Sequence, residues 1–83
     1  MKLLKFFSPT CGPCKIMATR LKDLKNCTIE EHDISTDNGS DVAEKYKVRS
    51  IPTLVLLNNN DEVIETFNGI VEIETIQTRI DNE

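Results

Sequence analysis

Glycine and proline are scarce, three of each in 83 residues, too few for a collagen-like repeat or a low-complexity segment. Basic residues are outnumbered, 10 Lys and Arg against 14 Asp and Glu. The net charge of −4 opposes generic binding to phosphate backbones, so no nucleic acid is expected as a partner. No run approaches the roughly 20 apolar residues of a membrane span, and no membrane partner is expected. The apolar opening Leu3–Phe7 is broken by Lys5 and stops at Ser8-Pro9, so it makes no signal-peptide core, and a cytoplasmic address follows. Three cysteines form an odd set, which argues against the closed disulfide framework of small secreted domains. In a reducing compartment a close cysteine pair is catalytic or metal-binding instead. No linker or internal repeat is visible, and residues 1–83 are expected to fold as a single domain. Such a chain buries only about 60–65% of its unfolded surface, which leaves little room for a large substrate cavity.

The elements that are present follow one another closely. Leu3–Phe7 predicts a strand buried on both faces. From Pro13 to about Asn26 the period changes: Cys14, Met17, Leu21 and Leu24 recur at three and four residues, the mark of an amphipathic helix. Pro13 suits its first turn, and the late lysines complement the dipole. Cys27–Ile34 predicts a second strand. Asp37-Asn38-Gly39 predicts a turn within a loop from Ser35 to Gly39, with Ser40 or Asp41 capping a short helix through Tyr46. Thr53–Leu57 is the strongest strand signal. Asn58–Asp61 is a hairpin turn into Glu62–Phe67, and after Asn68-Gly69 the isoleucines at 70, 73, 76 and 80 predict a closing helix. The order is β-α-β-α-β-β-α, an α/β fold with a four-stranded mixed sheet flanked by helices and its final strand pair antiparallel.

The sharpest feature is Cys11-Gly12-Pro13-Cys14 at the first strand-to-helix junction. Cys11 falls at the open end of a helix, where unpaired amides and the positive end of the dipole favour thiolate over thiol. Cys14 sits one turn later on the apolar side, shielded yet close enough to join Cys11 in a disulfide. One sulfur attacks and the other resolves. A zinc reading competes, because Cys11-x2-Cys14-x12-Cys27-x4-His32 has the spacing of a three-cysteine, one-histidine site. Against it, a helix between Cys14 and Cys27 separates them by roughly 18 Å, and Cys27 and His32 point to opposite strand faces. No metal is expected. Cys27 is then a small buried apolar residue and His32 a partly exposed strand residue.

Cys11-Gly12-Pro13-Cys14-Lys15, then Tyr46-Lys47-Val48-Arg49-Ser50-Ile51-Pro52-Thr53-Leu54, then Gly69 before the last helix, resemble the thioredoxin family over nearly the whole chain. The resemblance implies a minimal thioredoxin fold and a thiol–disulfide oxidoreductase with catalytic Cys11 and Cys14. It implies that Pro52 is cis and packs against the disulfide. The backbone of Ile51 would pair with bound polypeptide as an added strand, placing Ile51, Pro52 and Gly69 in the docking groove. No bound cofactor is implied. The partners implied are disulfide-containing proteins, with thioredoxin reductase or glutathione as reductant, and nothing demands more than a monomer.

The departures are informative. The chain starts at the strand before the cysteines, so the family's first strand and helix are missing and a glutaredoxin-sized version results. Thr10, in the substrate-binding rim, stands where thioredoxins usually carry tryptophan. Lys5 takes the place of the family's buried aspartate behind the resolving cysteine, and Glu31 that of its partner lysine, a charge-exchanged pair that could tune the titration of Cys14. The two should lie on neighbouring strands, both at least partly buried, with Glu31 a candidate proton acceptor and Lys5 favouring thiolate by charge. Two alternative functions compete: a glutaredoxin-like, glutathione-dependent reductase, and a non-enzymatic module that docks a partner at Ile51-Pro52.

Overall fold

A strand that is apolar at nearly every position needs cover on both faces, and the sheet is built round two of these. The computed structural model describes residues 1–83. Its elements are β1 (Lys2–Phe7), α1 (Gly12–Leu21), β2 (Thr28–Asp33), α2 (Asp37–Lys45), β3 (Thr53–Leu57), β4 (Val63–Asn68) and α3 (Ile73–Asp81). The expected element order and four-stranded mixed sheet are both present. Strands run β2-β1-β3-β4, with β1 parallel to β2 and the two other pairings antiparallel. The apolar strands β1 and β3 occupy the centre.

Alternation divides the core. Leu3, Leu54, Leu56 and Phe67 face Met17 and Leu21 of α1 and Ile76 and Ile80 of α3. Leu4, Phe6, Val55 and Leu57 face the other way, onto Ala43 of α2. Burying each large apolar side chain contributes about 1.5–3 kcal/mol, so these two layers carry the sheet. Polar contacts tie the first layer together. The Lys25 amide donates to Gln77 Oε1 at 2.8 Å while Gln77 Nε2 donates to the Lys25 carbonyl at 3.0 Å. Arg20 donates to the Val71 carbonyl at 3.1 Å.

Three boundaries differ by more than one residue from the sequence reading, each for a local reason. Helix α1 stops at Leu21, not Asn26. The amides of Lys22, Asp23 and Leu24 bond back three residues, tightening the last turn, and Asn26 at φ 65° turns the chain away. Leu24 still packs partly on the same core, which is why its spacing looks helical. Helix α2 starts at Asp37, so Asp37-Asn38-Gly39 is its first turn and not a loop. Its cap is Thr36, whose Oγ1 accepts from the Gly39 amide at 3.0 Å. Helix α3 begins at Ile73, leaving Ile70 outside it and 46% exposed, because the chain is still extended at the cap residue Glu72, with φ −74° and ψ 140°.

Gly39 is buried where α2 crosses the end of β2, and a Cβ there would run into the Asp33 backbone carbonyl. Gly39→Ala is therefore expected to lose about 1–3 kcal/mol through overpacking, reversing the usual gain of alanine in a helix. Denaturant melts decide it: an unchanged or raised midpoint would mean that the β2–α2 junction yields freely.

Candidate active site

Strand β1, buried along its centre, runs into Ser8-Pro9-Thr10, and the chain then has to turn to lay α1 across the sheet. The Cys11 amide donates to the Ser8 carbonyl at 3.2 Å, and Cys11 takes an extended conformation as the cap of α1. Its sulfur accepts from the Cys14 amide at 3.2 Å, the place a capping oxygen normally fills. Pro13 occupies the first turn, where its missing N–H costs nothing. Cys11 and Cys14 are joined in a disulfide with Cα atoms 5.2 Å apart. The two sulfurs are not equivalent: Cys11 is half-buried at the rim and Cys14 is 3% exposed beneath the helix.

The loop before β3 lies between α2 and the sheet. The Ile51-Pro52 peptide is cis, Pro52 is buried, and its carbonyl accepts from the Gly69 amide at 2.8 Å. The Thr53 hydroxyl lies 2.7 Å from the Ser50 carbonyl and 3.1 Å from Asn68 Oδ1, which braces the loop against β4. Neither the N–H nor the C=O of half-buried Ile51 is taken up by a backbone hydrogen bond within the chain. Beside it is a surface recess of about 620 Å³ with Ile34, Ala43, Val48 and Ile51 among its lining and Lys47 and Arg49 also bordering it. That is more space than so short a chain promises, because it lies between α2 and the loop and not in the core. Thr10 is exposed next to Cys11.

Lys5 and Glu31 stand directly opposite one another in the β1–β2 ladder, with Nζ 3.7 Å from Oε2. Lys5 is 8% exposed, and its ammonium also lies 5.1 Å from the centre of the Phe7 ring. Glu31 differs from expectation: its side chain is 60% exposed, because β2 is an edge strand beyond the cover of α1. Lys5 shares a small cavity of about 190 Å³ with Phe7, Cys14 and Ala18. The sequence reading does not pick out Ala18, although its place four residues after Cys14 puts it on the same helix face.

Cys27 and His32 lie apart from this site and from each other. Cys27 packs partly against the α1–α3 layer, less buried than expected, and its thiol lies 3.7 Å from the Thr28 carbonyl. His32 stacks on Phe6 at 5.3 Å on the opposite layer, with Nε2 2.8 Å from Glu30 Oε2. No three Cys, His, Asp or Glu side chains converge as a metal-holding group. Burial pushes the Cys27 thiol up from its ordinary range, against a smaller opposing pull from the N-terminal ammonium. In the disulfide form Cys27 is the only thiol, so alkylation reports on it alone. Its rate–pH midpoint is expected above that of a free peptide thiol, about 8.5, and a midpoint at or below that value would contradict the burial.

The thioredoxin family model matches residues 1–82. The thioredoxin of Bacillus subtilis is 38% identical over 78 residues, covering 90% of this chain and 74% of that protein. Thioredoxin M5, chloroplastic, of Oryza sativa is 37% identical over 82 residues, and this chain spans only 47% of its length. Among solved structures, a mutant thioredoxin from Halobacterium salinarum superposes with a TM-score of 0.82 at 26% identity, over 98% of this chain and 72% of that one. No helix is long and apolar enough to cross a membrane. With a capped Cys-Gly-Pro-Cys disulfide on this sheet and a family match from end to end, the chain belongs to the thioredoxin family of thiol–disulfide oxidoreductases.

Proposed function

We propose that the chain reduces disulfide bonds in protein substrates by cycling Cys11 and Cys14 between dithiol and disulfide. The observation that carries this reading is the inequality of the two sulfurs: one at a helix N-terminus and the rim, the other buried beneath it. Once the pair is reduced, the amides at the start of α1 favour a thiolate on Cys11. That thiolate attacks a substrate sulfur and displaces the other as a thiolate. Cys14 then attacks Cys11, the mixed disulfide breaks, and the second substrate sulfur leaves, so two electrons and two protons pass from dithiol to substrate. The leaving sulfurs take their protons from solvent.

Ile51, Pro52, Gly69 and Thr10 form the docking rim in this reading. The unpaired backbone groups of Ile51 accept a substrate segment as an added strand, with cis-Pro52 and Gly69, bonded to each other, at the same end of the sheet as the sulfurs. The protein acts as a monomeric, cytoplasmic single domain without a bound cofactor. A flavoprotein thioredoxin reductase returns it to the dithiol. Thr10 in the position of the usual tryptophan favours testing glutathione as a second reductant.

Insulin reduction driven in parallel by NADPH with thioredoxin reductase and by glutathione separates the two reductants. Cys11→Ser should bring either system to the uncatalysed rate, while Cys14→Ser should accumulate a mixed disulfide at Cys11, visible by mass. Residual turnover in Cys11→Ser would refute the mechanism. Turnover with neither reductant, alongside retained capture of polypeptide at the Ile51 groove, would favour the non-enzymatic docking module.

A further inference from the structure

Resolution needs a thiolate on Cys14, and the place where that charge has to form is poor in water. Cys14 is 3% exposed, and burial alone disfavours the ionised sulfur. Something on the inner side has to favour the charge. We propose that Lys5 is the positioning residue for the resolving step, its ammonium stabilising the Cys14 thiolate from below, with Glu31 as the counter-charge that tethers Lys5 and not as the proton acceptor. This rests on the disulfide-reducing reading above.

The order of groups across the sheet carries the inference. Cys14 of α1 and Lys5 of β1 border the same cavity of about 190 Å³. The other charged residue bordering it is Lys15 of α1, which is exposed. From β3 the ladder partner of Lys5 is Leu54, which is apolar, and from the β1–α1 turn come the neutral Ser8 and Pro9. Glu31 of β2 does not border the cavity and reaches Lys5 from the sheet edge at 3.7 Å. The charges facing the cavity are thus positive, and the single nearby carboxylate stands behind a cation. Glu31, outside that cavity, is not among the groups that border the Cys14 thiol. The field of Lys5 instead lets the thiol proton leave to water and steadies the sulfur as it attacks Cys11. The Cys11–substrate bond breaks as the Cys11–Cys14 bond forms.

This division of labour gives variants of opposite sign. In a Cys11→Ser, Cys27→Ala background Cys14 is the only thiol, and its ultraviolet thiolate absorbance can be titrated without substrate or reductase. Lys5→Met should raise the midpoint by about one to three pH units, the size of effect an adjacent opposite charge produces. Lys5→Arg should restore most of it. Glu31→Gln should lower the midpoint, since the glutamine side-chain oxygen can still accept from the ammonium and keep Lys5 in place while the charge that offsets it is removed. Methionine suits an apolar layer, and the Glu31 carboxylate it leaves without a partner is 60% exposed and stays hydrated, so Lys5→Met should fold. A purely structural role for Lys5 predicts equal midpoints in all these variants and would overturn the proposal. So would a midpoint that rises in Glu31→Gln, or a resolution step in Glu31→Gln slowed at every pH, the mark of a lost base. Failure of insulin reduction with the titration shifts intact would count against the disulfide-reducing reading and leave the Lys5–Cys14 coupling standing.

Discussion

The Cys11 sulfur sits where a helix cap belongs, and the chemistry of the chain depends on that contact. A helix starts with amides that lack partners, and here one of them, from Cys14, points at the sulfur at 3.2 Å. A serine or aspartate would satisfy the amide as well, but only sulfur makes the cap a nucleophile. The arrangement is rigid because both sides of the turn are anchored. Strand β1 is buried at four successive positions, Leu3 to Phe6, and α1 is held by Met17 and Leu21. The sulfur is therefore aimed by packing, and once the disulfide is reduced the helix terminus favours its thiolate, two separate physical causes acting on one atom.

The second half of the site comes from a distant stretch of chain and is joined to the first through the sheet. Strand β3 pairs with β1, so the loop ahead of β3 arrives at the same end of the sheet as the loop that follows β1. Antiparallel pairing is what brings residues 51–53 near residues 8–11. The bond from the Gly69 amide to the Pro52 carbonyl then fixes the end of β4 relative to that loop, since Gly69 lies just past the strand. In this way the central strands supply stability and their ends supply function, and the unpaired backbone at Ile51 is kept free by the same geometry.

Much of this is legible in the sequence because the informative residues act locally. The cysteine spacing, the apolar run of β3 and the isoleucines of α3 need no tertiary context. The start of α2 is hidden for a physical reason: Asp, Asn and Gly have turn preferences, and these are outweighed by the Thr36 cap and by the burial of Gly39 against Asp33, which only the folded chain reveals. The end of α1 is hidden because Leu24 keeps the helical spacing while leaving the helix. Glu31 falls on the predicted face but not in the predicted environment. Alternation tells which way a side chain points, whereas exposure depends on whether the strand is central or at the edge, and strand order is not written in a local pattern.

Edge strand β2 poses a problem that the Lys5–Glu31 contact helps to solve. Its residues are mostly exposed or half-buried, so apolar burial specifies its register weakly, and a slip of one residue would exchange its two faces. Side-chain pairs take over that role. On one face Lys5 meets Glu31, and on the other Phe6 stacks on His32 while Lys2 lies 3.8 Å from Glu30. Each cross-strand pair contributes only about 0.2–1 kcal/mol, but a slip would break all of them together. The pairing thus holds the buried ammonium at a fixed point of the sheet. A lysine without a fixed partner would extend its stem toward water, as long charged side chains do. A contact that helps to set the strand register is therefore also one that holds the Lys5 ammonium at the cavity it shares with Cys14.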